Sequence, residues 1–273
     1  MTDTTRRSLP PMGAIEFAIA AVFRHFFFGL GLAIAWGLLL LPLIALVWFV
    51  ALENGAPDLA KLPPAALISI AVLAAALLLA SFSVAVNWHR RVLLGERPRG
   101  LHWLRLDGPV WRYLLGFVLM AVVLGVYAGA AFGVTTIAAP AMAAQMGPAA
   151  KPVAIVIAVL LGLSGLFTFY RLSSWLAALA VADTQYTLRH AWTATRRNRL
   201  AYLGFTFWLV FSLAIAGGIG AGAFFAQQMA PEAWMKGVAF SVMGLLGWFS
   251  MFLVASIAAS HYAHFSGRLK NGE

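Results

Sequence analysis

The chain contains no cysteine among its 273 residues and few charged residues of either sign. The missing cysteines exclude disulfides, thiol nucleophiles and cysteine-ligated metals. Charged residues make up 10% of the chain and hydrophobic residues 62%. Soluble domains carry about 25% charged and about 45–50% apolar residues. Acidic residues number only nine, and no two of them share an apolar stretch, so we do not expect ion-coupled transport through an acidic relay. The composition indicates an integral membrane protein.

Six apolar stretches are long enough to cross a bilayer, which takes about 20 residues. They cover residues 26–52, 64–88, 110–139, 153–172, 200–226 and 237–261. We therefore predict an all-α, polytopic fold in which six transmembrane helices form three hairpins within one transmembrane domain, residues 1–273. Residues 1–25 are predicted to be a cytoplasmic tail and an interfacial amphipathic helix, and residues 262–273 a second cytoplasmic tail. Residues 184–199 are predicted to form another interfacial helix.

Arginine is distributed very unevenly between the predicted loops. The longest polar interval, residues 87–113, carries Arg90, Arg91, Arg97, Arg99, Arg105 and Arg112. If both termini are cytoplasmic, this interval and the cluster at 196–199 face the cytoplasm. The predicted outer loops then receive only Lys61, Lys151 and Lys236. Basic loops stay on the cytoplasmic side of a membrane, so this orientation is the one we predict.

The arginine-rich face has two interpretations. It sets the topology, and it can also bind anionic lipid, to which each basic residue near the surface contributes about 1 kcal/mol. Nucleic acid is not expected as a partner, because the arginines lie in short runs beside apolar segments. The candidate contacts with lipid or with a partner are Arg90, Arg91, Arg97, Arg112, Arg171, Asp183, Arg196, Arg197 and Arg199.

Arg171 stands at the end of the fourth predicted span. Its side chain either reaches out to the head groups or has a buried role. The apolar sequence continues from it to Asp183. One unbroken helix from Val153 to Asp183 would run roughly 45 Å, longer than the hydrocarbon is thick. We therefore expect a bend near Ser173 and Ser174, which would let Asp183 fold back and pair with Arg171.

Glycines recur four residues apart in the third predicted span, at Gly125, Gly129 and Gly133. Small residues at this spacing let two helix backbones approach closely. The sequence thus predicts a helix-packing face, and an ordinary glycine-rich membrane helix is the alternative.

Polar clusters that could support chemistry are few. Glu96 and Asp107 lie near His89 and His102 in the basic interval, and His261 and His264 are three residues apart. Loop residues between basic anchors are usually solvated, and histidine at a membrane interface is usually an anchor. We predict no catalytic residue, no metal site and no cofactor.

Two segments resemble a known group of proteins. They are residues 88–98 (WHRRVLLGERP) and residues 171–203, in which Arg171 precedes AVAD and AWTATRRNRLAYL. Both are similar to six-span bacterial inner-membrane proteins of unknown function, which include YciC-like proteins and the membrane domain that accompanies some glycerophosphodiester phosphodiesterases. Such proteins often have a proline before the aspartate, whereas residues 177–182 have none. The resemblance implies a location in the bacterial inner membrane. It does not imply catalysis, because the phosphodiesterase activity belongs to a separate soluble barrel.

The function predicted from the sequence is non-enzymatic: an accessory or scaffold protein that contacts anionic lipid and either a membrane-protein partner or a second copy of itself. The alternative is a small transporter or lipid-handling protein with a cavity between the hairpins. A polar cavity lined by Arg171, Asp183, Thr135, Thr136 and Ser164 would favour the alternative. A tightly packed bundle with an exposed glycine face would favour the first function.

Overall fold

The computed structural model describes residues 11–53, 63–198, 200–207, 218 and 233–267, and this part of the chain contains helices and no strands. The helices are α1 (Pro11–Arg24), α2 (Phe26–Glu53), α3 (Pro64–Leu94), α4 (Gly108–Gly133), α5 (Ala139–Met146), α6 (Ala150–Ala180), α7 (Leu188–Ala194), α8 (residues 200–207) and α9 (Ala233–Ser266). Short 3₁₀ turns cover Gly100–Leu104, Gly147–Ala149 and Thr195–Asn198. The predicted all-α class is confirmed.

Three described stretches are long and apolar enough to cross a membrane: Phe26–Val47, Pro64–Leu94 and the run Gly100–Ala180, which contains α4 and α6. These stretches agree with the predicted membrane class. Most of the predicted fifth span, 200–226, lies outside the described residues, while α9 covers the predicted sixth. The presence of six spans and their arrangement as three hairpins therefore stay predictions.

The predicted outer loop at residues 140–152 is largely helical. After α4 a widened π-helical turn, Val134–Ala138, leads directly into α5. Pro140 follows this turn, in the first turn of α5. Proline lacks an amide donor and clashes with the carbonyl four residues earlier, which favours an altered turn ahead of Pro140. Helix α5 ends at Gly147, where φ is +56°.

The expected bend near Ser173 and Ser174 is wrong, because α6 is one helix from Ala150 to Ala180. Neighbouring helices bury its last two turns almost completely, including Ala177 and Ala180. A helix end that is covered by protein does not need to stop at the membrane surface. The chain turns instead at Ala182, whose φ of +60° is unusual for a residue with a side chain.

Helix α4 packs along α6 in the antiparallel direction. A Cβ built on Gly116 would lie 2.5 Å from Leu179 Cδ1, and one built on Gly165 would lie 3.1 Å from Tyr127 Cβ. Glycine at these two positions lets the helices approach closely. Further contacts join α2 to α3, α1 to α9, and α9 to both α3 and α6.

Buried residues concentrate at one end of the bundle. This end contains the C-terminal parts of α3, α6 and α9, the start of α4 and the segments 95–107, 181–198 and 200–207, and we call it the polar end. Three apolar clusters form its core, around Tyr202, Trp88 and Val86. The polar end is therefore where side-chain packing fixes the arrangement of the helices.

Candidate functional site

The C-terminus of α3 begins the arrangement of charged groups at the polar end. Gly95 has a left-handed φ of +68°, and its amide donates to Arg91 O while the amide of Glu96 donates to Arg90 O. This is the common glycine-dependent end of a helix. It turns the chain back on itself, so that both carboxylate oxygens of Glu96 meet Arg90, at 2.7 Å from Nε and 2.6 Å from Nη2. Arg90 Nη1 also donates to Ala180 O at 3.2 Å, which ties α3 to the end of α6.

A first basic pocket of about 230 Å³ lies beside this ion pair. Its lining residues are Asn87, Arg90, Glu96, Arg97, Pro98, Arg99, His102 and Arg105. Asn87 Nδ2 donates to His102 O at 3.1 Å and fixes one wall. The side chain of Arg105 is only 10% exposed, and its Nε lies 3.3 Å from Asp107 Oδ2. Its Nη1 is buried and has no hydrogen-bond partner among the described residues. Four arginines and one carboxylate line this pocket, so positive charge remains in excess after Arg90 pairs with Glu96 and Arg105 with Asp107.

A second basic pocket of about 330 Å³ adjoins the first. It is lined by Arg24, His25, Phe27, Phe28, Arg91, Arg97, Pro98 and Trp103, and therefore shares Arg97 and Pro98 with its neighbour. Arg91 Nη1 donates to Gly95 O at 3.0 Å, and its guanidinium lies 5.8 Å from the centre of the Phe28 ring. Arg91 Nε is buried and has no hydrogen-bond partner in the described part of the chain.

The electrostatics of the two pockets are consistent with this excess of positive charge. The pKa of Glu96 is lowered, chiefly by the hydrogen bond from Arg90, so the carboxylate stays ionised beside that arginine. The pKa of His25 is lowered by burial, and then by Arg91 and Arg24. His25 is therefore neutral at neutral pH, and an anion bound beside it would raise its pKa again.

Large apolar side chains project next to both pockets. Leu101, in the 3₁₀ turn of the basic segment, is 85% exposed, and Phe27 is 83% exposed. Exposed apolar groups of this size beside clustered arginines are typical of a surface that meets the boundary between lipid head groups and acyl chains.

Arg171 is buried in the protein and does not reach out to the surface, with 4% of its area exposed. Its Nε donates to Thr195 Oγ1 at 3.1 Å, its Nη2 donates to Trp192 O at 2.8 Å, and the guanidinium stacks 3.6 Å from the centre of the Trp192 ring. It therefore fixes the segment after α7 against α6.

Asp183 holds the connection between α6 and α7. Its Oδ1 accepts from the amides of Gln185 at 3.0 Å and Tyr186 at 3.4 Å, and its Oδ2 accepts from Tyr262 Oη at 2.5 Å. Tyr186 Oη donates to Ser174 Oγ at 3.1 Å. The predicted fold-back that would pair Asp183 with Arg171 is absent, because α6 is unbroken and these contacts tie Asp183 to α9.

The other candidate arginines are distributed differently. Arg112 is exposed and its Nε donates to Gly108 O at 3.4 Å, one turn earlier in its own helix. Arg196 is exposed after α7, and the side chains of Arg197 and Arg199 lie outside the described residues. The structure thus groups Arg90, Arg91 and Arg97 with residues that were not among the candidate contacts predicted from the sequence: Arg24, His25, Trp103, Arg99 and Arg105. Gly95 at the end of the helix was the sequence signal for this grouping.

The predicted glycine face has no neighbour in the described structure. A Cβ built on Gly125, Gly129 or Gly133 would meet no described atom within 4 Å. Contact of this face with another helix stays a prediction, and the candidate neighbours are the predicted fifth span and a second copy of the chain.

Within the described part of the chain, the residues named for a transporter's polar cavity do not line a common pocket. Thr135, Thr136 and Ser164 are exposed, and their hydroxyls donate to carbonyls of their own helices. A cavity of about 400 Å³ does open between α3, α4, α6 and α9, but mostly apolar side chains line it, among them Phe82 and Phe117.

Comparison of the chain with protein-family models, curated proteins and solved structures gives no match.

Proposed function

We propose that this chain is a non-enzymatic membrane protein, an accessory or scaffold component that holds anionic lipid head groups in the two basic pockets. The observation that carries the proposal is Arg105: its side chain is nine-tenths buried, its Nε lies 3.3 Å from Asp107 Oδ2, and its Nη1 still lacks a hydrogen-bond partner among the described residues. A buried charged donor without an acceptor is costly. A phosphate oxygen in the pocket would supply that acceptor and form a strong, charge-assisted hydrogen bond.

The placement in the membrane is part of the same proposal. Six spans with both termini in the cytoplasm put the two pockets at the inner surface of a bacterial inner membrane, and the resemblance to YciC-like proteins supports that location. The exposed apolar side chains of Leu101 and Phe27 would then enter the lipid beside the bound head groups. The exposed glycine face of α4 is the proposed contact with a membrane partner or with a second copy.

Thermal unfolding of the purified protein in detergent tests the lipid role. A ligand that binds only the folded state raises the melting temperature as its concentration increases. We expect phosphatidylglycerol to stabilise the protein and phosphatidylcholine to have little effect. Arg105→Gln should reduce this stabilisation strongly, whereas Arg189→Gln, which removes an exposed charge from α7, should preserve it. Equal stabilisation by the two lipids would contradict the proposal.

Lipid handling is the second candidate, supported by the apolar cavity between α3, α4, α6 and α9. Ala85 and Ala258 line this cavity, and replacing either with Phe would fill part of it. If the cavity accommodates an acyl chain during transfer, Ala85→Phe should slow the exchange of a fluorescent lipid between vesicles. An unchanged exchange rate in a folded variant would leave only the accessory role.

A further inference from the structure

The two basic pockets share a wall. Arg97 and Pro98 line both of them, and both residues directly follow the turn at Gly95 and Glu96. Because the left-handed turn ends α3 here, the chain passes between the two pockets. A ligand that occupies both pockets must therefore extend past Arg97.

Each pocket has its own buried donor without a partner in the described residues. In the first pocket this donor is Nη1 of Arg105, and in the second it is Nε of Arg91. Positive charge exceeds negative charge in each pocket, even though Asp107 pairs with Arg105 of the first. Glu96 is the only carboxylate that lines the first pocket, and Arg90 already holds both of its oxygens, while no carboxylate lines the second. Each pocket thus has donors and charge for one phosphate.

We infer that the two pockets together bind one lipid that carries two phosphate groups joined by a short linker, with one phosphate in each pocket and Arg97 between them. This inference rests on the proposed function, since it specifies the class of lipid. The aromatic walls of the second pocket, Phe27, Phe28 and Trp103, favour a lipid over a free anion. Two sites that act on one molecule raise its affinity above that of either site alone, because binding at the second site becomes intramolecular.

Native mass spectrometry of the detergent-purified full chain tests the inference, with lipid binding measured at equal total phosphate. The probes are diphosphatidylglycerol, which has two phosphates, and phosphatidylglycerol, which has one. The wild type should bind the diphosphate lipid about tenfold more tightly or better, as expected for two linked sites. Arg105→Gln or Arg91→Gln should each remove most of that advantage, whereas the lysine variants Arg105→Lys and Arg91→Lys, which keep the charge, should retain part of it.

The variant Arg189→Gln serves as the charge-matched control outside the pockets and should retain the full advantage. If the advantage persists when either pocket is altered, or if the wild type binds the two lipids equally, the two-phosphate inference is overturned while anionic binding stands. If no preference for anionic over neutral lipid exists at all, the proposed function fails as well. Competition with inorganic phosphate is the last measurement. If inorganic phosphate displaces the bound lipid at low concentration, the pockets bind a free anion, and the assignment to a lipid is overturned.

Discussion

Along α3, all residues from 82 to 89 are buried, whereas none from 67 to 79 is. In α6, residues 170–174 are all buried, whereas none from 155 to 164 is. We call the part of the bundle away from the polar end, which includes residues 67–79 and 155–164, the apolar half. Lipid chains are as apolar as leucine, so the apolar half gains little by burying more apolar surface. Polar groups removed from water do need partners. The polar end supplies them, for example in the bond of 2.9 Å from Trp88 Nε1 to Ser256 Oγ. Among the described residues, the arrangement of the helices is thus specified mainly at the polar end.

The largest expected effect is that of Arg171→Leu. The change removes two hydrogen bonds from a charged donor and the stack on Trp192, so the free energy of unfolding should fall by about 3 kcal/mol. Leu160→Ala, at an exposed position in the apolar half of α6, should cost less than about 1 kcal/mol. Thermal unfolding in detergent compares the two variants. Equal losses would remove the distinction between the halves.

Glycine positions give a second comparison. Leucine at Gly165 would collide with Tyr127 Cβ and Cγ, at 3.1 and 3.2 Å from the new Cβ, and overpacking of this kind costs about 2 kcal/mol. Gly125→Leu meets no described atom near the new Cβ. If a second copy covers the glycine face, this change should leave the melting temperature of the monomer unchanged, whereas a lowered melting temperature would place the predicted fifth span there. A weaker oligomer in Gly125→Leu, measured by light scattering, would place a second copy on the glycine face.

The Arg90–Glu96 ion pair should regulate anion binding. Because the pKa of Glu96 is lowered, the pair stabilises the fold at neutral pH and is lost as the pH falls through that lowered value. Protonation frees Arg90, so binding of anionic lipid should strengthen on acidification. Glu96→Gln should show about fivefold tighter binding already at neutral pH, from about 1 kcal/mol per unit of net charge. Glu16→Gln, exposed on α1, is the matched control. Identical pH profiles for the wild type and Glu96→Gln would exclude this role.

The smallest expected effect is at the end of α6. Ala182 has a positive φ, which costs an alanine about 1 kcal/mol that a glycine avoids. Glycine loses more backbone entropy on folding, which offsets part of this gain. Ala182→Gly should therefore stabilise the protein by about 0.5 kcal/mol. The same change at Ala178, inside the helix, should destabilise it by about 1 kcal/mol or more. Chemical denaturation in mild detergent measures both, and a loss of stability at Ala182 would show that the left-handed turn is not strained.

Hydrophobicity alone located several helices well. The predicted span 26–52 corresponds to Phe26–Glu53, and α3 begins at Pro64 as expected. The sequence did not predict how far α3 and α6 continue at the polar end, because protein rather than lipid covers those turns. Nor did it predict the partners of Arg171, which lie more than twenty residues away in the chain. The basic pockets depend on Gly95, a local signal, and on contacts from Arg24 and Trp103 that only the fold brings together.

The central claim is that Arg105 and Arg91 hold phosphate groups of a lipid. A structure of the protein in nanodiscs that contain anionic lipid tests this most directly. The account predicts a phosphate oxygen within about 3.2 Å of Arg105 Nη1, with the acyl chains leaving past Phe27. Anionic lipid resolved around the bundle but absent from both basic pockets would contradict it.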